Sequence, residues 1–112
     1  MDKAADVKPV QIFMELLRQL QKIDTEFPLQ YALCLAEISM NEGMSLTSLA
    51  EKVNLSLSTI SRIVGSLSEY RQNGQPYGLI EIKISTEERR RKELYLTPKG
   101  RALIQKISKI LE

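Results

Sequence analysis

The sequence has no histidine, no tryptophan and only one cysteine among its 112 residues. Histidine is the usual general base, metal ligand and near-neutral pH switch, so its absence removes the commonest routes to acid–base catalysis and metal binding. The single cysteine, Cys34, allows neither an internal disulfide nor a cysteine-ligated zinc site. Glycine-rich phosphate loops are also lacking. We therefore expect no enzyme, no metal and no cofactor.

Long apolar runs are missing as well. No stretch reaches the roughly 18 consecutive apolar residues of a membrane-spanning helix, and the start has no signal-peptide core. These absences predict a cytoplasmic protein without a membrane partner. The length suits one domain covering residues 1–112. A domain of this size buries a modest core and often gains stability by dimerising.

The net charge of +2 is unevenly distributed. Residues 1–50 hold four basic and seven acidic side chains, whereas residues 51–112 hold twelve basic and seven acidic ones. The first part therefore has a net charge of −3 and the second a net charge of +5. A basic surface in one half of a chain is the electrostatic footprint expected of nucleic-acid binding.

The stretch 49–70 reads as two helices joined by a tight turn. Asn54 tolerates the left-handed backbone that such a turn needs, and Ser56 is a good N-cap for the second helix. Apolar residues then recur at helical spacing at Leu57, Ile60, Ile63, Val64, Leu67 and Tyr70. Two helices of this kind, the second polar on its outer face, form the helix-turn-helix device that enters the DNA major groove. The alternative is a plain αα-hairpin within a helical protein.

Short hydroxyl side chains and one arginine occupy the outer face of that second helix. Arg62 could bind guanine or a phosphate, whereas hydroxyls can take either role and specify no sequence. Ser56 would act as a cap first and a phosphate contact second. The predicted DNA-contacting residues of this recognition helix are Ser56, Ser58, Thr59, Ser61, Arg62 and Ser66.

Three further helices and a β-hairpin are predicted around this pair. A helix over about 9–25 begins with Pro9 at its first position, and a second helix from Pro28 to Met40 is apolar nearly all round, which predicts a central buried helix. Met44 would lie in a short extended piece. The segments GLIEIKIS and ELYLT alternate as strands, and a last helix covers 98–111. The fold class is mainly α with a small β-hairpin (α+β), a winged helix-turn-helix in the order α-α-(β)-α-α-β-wing-β-α.

The loop between the two strands carries four consecutive basic residues, Arg89, Arg90, Arg91 and Lys92. From Lys83 to Arg101 there are seven basic and three acidic residues, a net charge of +4. Guanidinium groups at a hairpin tip suit the narrow, strongly negative minor groove, where phosphate contacts add affinity but little sequence information. The alternative is a solvated turn that only aids solubility.

These motifs resemble those of MarR-type winged-helix regulators. The matching segments are SLTSLAEKV, LSLSTISRIV, GLIE and ERRRKELYLTPKG, within roughly residues 28–104. The resemblance implies that Glu88 braces the wing and that Arg89 and Arg90 form its basic pair. This chain departs from the family in a longer loop, 71–78, after the recognition helix. Its last helix is also short, so we do not expect a small-molecule effector site.

The first and last helices each carry a wide apolar stripe. A small winged helix cannot cover both, so we predict a homodimer, although the stripes could instead close the core of the monomer. The candidate interface residues are Ile12, Phe13, Leu16, Leu20, Leu103, Ile107, Ile110 and Leu111. The predicted function is a homodimeric, sequence-specific double-stranded DNA-binding repressor that occludes its operator. The alternatives are a protein-interaction or assembly module and a plasmid or phage replication-origin binder.

Overall fold

A computed structural model describes residues 3–69, 75–87 and 91–112, with side chains from residue 7 onward. Within those ranges the chain forms five helices and one two-stranded antiparallel sheet. The elements are α1 (Lys3–Gln21), α2 (Leu29–Met40), α3 (Leu46–Val53), α4 (Leu57–Leu67), β1 (Ile80–Ile84), β2 (Lys92–Leu96) and α5 (Pro98–Leu111). The predicted fold class and element order are confirmed.

Helix α1 begins and ends earlier than predicted. It starts at Lys3 and contains Pro9 in its interior, whereas the sequence had suggested Pro9 as the first helical residue. It ends at Gln21 because the chain turns at Asp24, whose carboxylate accepts a hydrogen bond from the Glu26 N–H at 2.9 Å. The predicted boundaries of 9–25 are therefore wrong at both ends.

The hydrophobic core lies between α2, the α3–α4 pair and the sheet. Helix α2 contributes Cys34, Leu35 and Ile38, all nearly inaccessible to solvent. Burial raises the pKa of the Cys34 thiol to about 11, so this cysteine is an unreactive packing residue. The prediction of a central buried helix holds for one face of α2 only, because the opposite face exposes large apolar side chains such as Leu29, 72% exposed.

The β-hairpin runs from the pair Ile80–Leu96 to the pair Ile84–Lys92. The segment before α3 lies alongside β2, since the Gly43 N–H donates to the Leu94 carbonyl at 2.8 Å and the Leu94 N–H donates to the Met44 carbonyl at 2.9 Å. The extended piece predicted near Met44 is thus present. It fixes the base of the hairpin against the start of the helix-turn-helix.

Residues 75–79 fold back along the C-terminal end of α4. The Tyr77 N–H donates to the Ser66 carbonyl at 3.0 Å, and the Tyr77 ring packs edge-on against Phe27 and Tyr31 with centroid distances of 4.9 and 6.0 Å. The Tyr77 hydroxyl also donates to Asp24 at 2.6 Å. This end of the longer loop therefore anchors α4 to the α1–α2 turn, while the Tyr70 position predicted for the α4 stripe lies outside the described residues.

Candidate nucleic-acid interface

The turn between α3 and α4 has the left-handed residue and the helix cap that the sequence predicts. Asn54 adopts a left-handed conformation with φ of 57°, which ends α3. The Leu55 N–H donates back to the Ala50 carbonyl at 3.1 Å, and Ala50 is small enough for the helices to meet there. Ser56 then caps α4, its hydroxyl oxygen accepting the Thr59 N–H at 3.2 Å. These local contacts fix the angle at which α4 leaves the turn.

Helix α4 has one buried face and one polar face. Its apolar side chains from Ile60 onward pack in the core, with Ile60 and Val64 fully buried. On the opposite side Ser58, Ser61 and Arg62 are exposed, as predicted. Because the inner face is held by the core, the outer face is presented on a rigid support, which is the property a reading surface needs.

The hydroxyls of the first turn of α4 bind one another. The Ser56 hydroxyl donates to the Thr59 hydroxyl at 2.9 Å and lies 3.2 Å from the Ser58 hydroxyl. Thr59 is half-buried and Ser56 is exposed. The cluster therefore stiffens the N-terminus of α4, where free N–H groups and the helix dipole favour an anion such as a phosphate.

Two positions on α4 differ from the prediction. Ser66 is only 3% exposed, and the Tyr31 hydroxyl donates to it at 3.4 Å, so Ser66 lies beneath the helix and does not belong to the DNA-facing surface. Leu57, expected on the inner stripe, is 50% exposed, because the first turn of α4 projects beyond the core. The spacing of three residues from buried Ile63 was the signal in the sequence that placed Ser66 inward.

The wing is described only in part. Lys92 is exposed at the start of β2, and the preceding residue Arg91 is also exposed. One Arg91 Nη donates to the Gly43 carbonyl at 3.4 Å and lies 3.9 Å from the Glu93 carboxylate. Arg91 is therefore partly occupied in holding the wing to the α2–α3 turn. The predicted brace Glu88 and the predicted contacts Arg89 and Arg90 lie outside the described residues.

A carboxylate before α3 holds the base of the wing, a role that the sequence analysis missed. Glu42 accepts the Leu96 N–H at 2.8 Å and the Arg101 guanidinium at 3.0 Å. These two donors lower the pKa of Glu42, the backbone hydrogen bond contributing most. The contact joins the α2–α3 turn to Leu96 of β2 and Arg101 of α5, both more than 50 residues further along the chain. Nothing in the local sequence could have revealed it.

The predicted interface residues divide into four groups. Leu103 is 6% exposed and belongs to the core, so its assignment to a dimer interface is wrong. Leu20 and Ile107 are partly buried against the same core. Phe13 and Leu111 are 59% and 61% exposed and remain available to a partner. The remaining candidates, Ile12, Leu16 and Ile110, are half-buried.

The parts of the chain that the structure describes, residues 3–69, 75–87 and 91–112, bear on metal binding and on membrane insertion. In those parts of the chain, no cluster of three or more His, Cys, Asp or Glu side chains could hold a metal ion. None of the helices described there combines the length and the apolar character needed to cross a membrane.

Known proteins share this architecture. A family model described as winged helix-turn-helix DNA-binding matches residues 35–70, which include α3 and α4. No curated protein sequence matches the chain. The structure of the transcriptional repressor CouR bound to a 23-mer DNA duplex is 22% identical, covers 96% of this chain and 70% of CouR, and has a TM-score of 0.65.

Two further solved structures agree with this result. The S. aureus MepR–DNA complex is 16% identical, with 98% of this chain and 83% of MepR covered and a TM-score of 0.76. MarR is 23% identical, with 96% of this chain and 72% of MarR covered and a TM-score of 0.65. The chain is therefore a winged helix-turn-helix protein with the fold of the MarR-type regulators, as its motifs had predicted.

Proposed function

We propose that this protein is a homodimeric, sequence-specific double-stranded DNA-binding regulator that represses transcription by occupying its operator. One observation carries the proposal: α4 turns a face of Ser58, Ser61 and Arg62 to solvent while its other face is locked in the core. The CouR and MepR structures, which share this fold, are complexes with DNA.

The exposed groups make different contributions to DNA binding. Arg62 can form two hydrogen bonds with guanine in the major groove, a contact worth about 1–3 kcal/mol of discrimination against the wrong base. The capped N-terminus of α4 can accept a phosphate near Ser56, which fixes the position of the helix without reading sequence. The basic residues of the wing, including Lys92, add affinity through the backbone.

A homodimer would double this surface. Two copies related by a two-fold axis place two α4 helices on one side of the duplex, about one helical turn apart. Such a dimer favours a palindromic site and supplies specificity that a single arginine cannot provide. Exposed apolar residues on the terminal helices, such as Phe13 and Leu111, support the association.

A protein-interaction module is the competing proposal from another class of function. Its contact face should expose several large apolar residues, whereas α4 exposes only Leu57 among its large apolar side chains. Binding to a replication origin uses the same contacts to DNA as binding to an operator. An origin-binding protein and a repressor differ only in the position of their site in the genome.

The test is selection of bound duplexes from a random pool with the full chain. We expect an enriched palindrome whose half-sites lie about 10 base pairs apart, the spacing set by one turn of DNA. Recovery of unenriched sequences, with no motif after repeated rounds, contradicts the proposal. A single enriched half-site supports DNA binding and contradicts the dimeric arrangement.

A further inference from the structure

The polar outer face of α4, a helix that the structure describes from Leu57 to Leu67, includes an exposed leucine. Leu57 is the first residue of the helix and is 50% exposed. It lies beside exposed Ser58 and one turn before exposed Ser61, since residues four apart share a side of a helix. The large apolar side chains further along α4 are buried. Leu57 therefore differs in chemistry from the serines and the arginine exposed around it.

The position of Leu57 is one from which a recognition helix contacts bases. In helix-turn-helix complexes the N-terminal residues of the second helix reach base edges in the major groove. The Ser56 cap holds the first turn of α4 through its hydrogen bonds with Thr59, so Leu57 is carried on an ordered backbone. A half-exposed leucine elsewhere on the surface is ordinary. At this position it lies where the proposed function places DNA.

A leucine side chain matches one feature of the major groove. It neither donates nor accepts hydrogen bonds, so it cannot pair with the polar groups of the base edges. Thymine presents a methyl group on C5 in this groove, and apolar side chains contact that group. Contact between the leucine and the methyl group removes apolar surface of both from water. The amino group of cytosine at the same place would lose hydration without gaining a partner.

Arg62 and Leu57 can bind different bases of one half-site. Arg62 lies five residues further along α4, which is about 7.5 Å along the helix axis. Base pairs are stacked about 3.4 Å apart, so this distance corresponds to about two base pairs. The hydroxyls between the two residues can bind a base or a phosphate and specify no sequence. Leu57 would thus add a second specific contact to the guanine contact of Arg62.

We propose that Leu57 is a specificity-determining residue that selects thymine in each half-site by contact with its C5 methyl group. The inference rests on the proposed function, because it requires α4 to lie in the major groove. It deepens that function by adding an apolar contact to the hydrogen bonds of Arg62. The selected thymine lies about two base pairs from the guanine that Arg62 binds.

Replacement of thymine by deoxyuridine tests the contact. Deoxyuridine pairs with adenine as thymine does, but it lacks the C5 methyl group. The duplex recovered by selection is prepared with each thymine replaced in turn, first in one half-site and then in both. The affinity of the full chain for each duplex is measured by fluorescence anisotropy at one salt concentration.

Three variants accompany the wild type in this measurement. Leu57→Gln keeps a long side chain but makes it polar, whereas Leu57→Met keeps it apolar, and both replacements favour helix. The control is Ile84→Gln, which makes the same change on β1 at an apolar side chain that is 49% exposed. Circular dichroism checks that each variant is folded.

In the wild type, one thymine of each half-site should lose affinity when it is replaced. Loss of the methyl contact in one half-site should weaken binding about fourfold, and loss in both about 15-fold, corresponding to about 0.8 kcal/mol per methyl group. Leu57→Met and Ile84→Gln should keep this ratio of affinities between the thymine and deoxyuridine duplexes. Leu57→Gln should bind the two duplexes equally.

The contact is disproved if no thymine is sensitive to replacement or if Leu57→Gln keeps the wild-type ratio. Loss of the ratio in Leu57→Met or in Ile84→Gln also overturns it, because neither variant removes the apolar side chain from position 57. If selection recovers no motif, the proposed function fails and the thymine contact fails with it. If a motif is recovered and deoxyuridine has no effect, only the thymine contact fails.

Discussion

Gly100 lies in the first turn of α5 at the point where this helix meets the start of the hairpin. A Cβ built there would overlap the carbonyl oxygen of Leu79 and lie 3.0 Å from its carbonyl carbon. That carbonyl cannot move away easily, because it accepts the Thr97 N–H at 3.0 Å while the Leu79 N–H donates to the Leu67 carbonyl at 2.7 Å. Gly100→Ala therefore forces α5 away from the sheet.

The magnitude follows from two opposing effects. Alanine in a helix gains about 0.5–1 kcal/mol over glycine. Overpacking costs about 1–3 kcal/mol, and the upper end applies here because the obstructing atom is backbone. We expect Gly100→Ala to lower the free energy of unfolding by about 2 kcal/mol, and urea unfolding should show a midpoint about 1 M lower.

Gly78→Asn is the matched control for this prediction. Gly78 has φ of +65°, and apart from its chain neighbours no atom of the described residues lies within 4 Å of its built Cβ, so substitution meets no steric obstacle there. Asparagine tolerates the left-handed region, and we expect a change of less than about 0.5 kcal/mol. If Gly100→Ala is as stable as the wild type or more stable, helix propensity dominates and the close approach of α5 to the hairpin is wrong.

Three further substitutions test contacts around the site. Glu42→Gln should reduce the loss of folding stability below about pH 4.5. Because the pKa of Glu42 is lowered in the folded protein, its contribution to stability is present above the ordinary value of 4.5 and is lost as the carboxylate protonates. If the free energy of urea unfolding falls with acid pH in the variant as it does in the wild type, this role of Glu42 is contradicted. Tyr77→Phe should lower the free energy of unfolding by about 1–2 kcal/mol, because Asp24 loses a hydroxyl donor. An unfolding midpoint at the same denaturant concentration as the wild type would contradict this contribution. In thermal unfolding, Asn54→Ala should lower the free energy of unfolding by about 1 kcal/mol, whereas Asn54→Gly should change it very little. Equal losses of stability in the two variants would show that the left-handed backbone at this turn is not the cause.

Local patterns were enough to predict most of the architecture. The helix-turn-helix depends on residues close in sequence, such as the Ser56 cap and the left-handed Asn54, and both occur where expected. The last helix likewise begins at Pro98 behind its Thr97 cap. Each of these features is encoded by one turn of chain, so periodicity and capping chemistry suffice.

The errors concern contacts between distant segments. Ser66 lies three residues after the inward Ile63, but only the contact with Tyr31 of α2 shows what covers it. Leu103 belongs to an amphipathic stripe, but only the assembled core shows that the stripe is already used. Glu42 holds the wing through residues more than 50 positions away. Sequence patterns specify which face is apolar, but not which neighbour covers it.

The most direct measurement compares the affinity of Arg62→Ala and Lys109→Ala for the duplex recovered by selection, using fluorescence anisotropy at one salt concentration. Both substitutions remove one positive charge from an exposed side chain, but only Arg62 lies on the outer face of α4. We expect Arg62→Ala to weaken binding by about 10- to 100-fold, the loss of one base-reading arginine, and Lys109→Ala to have little effect. Equal affinities for the two variants would contradict the assignment of this face to DNA.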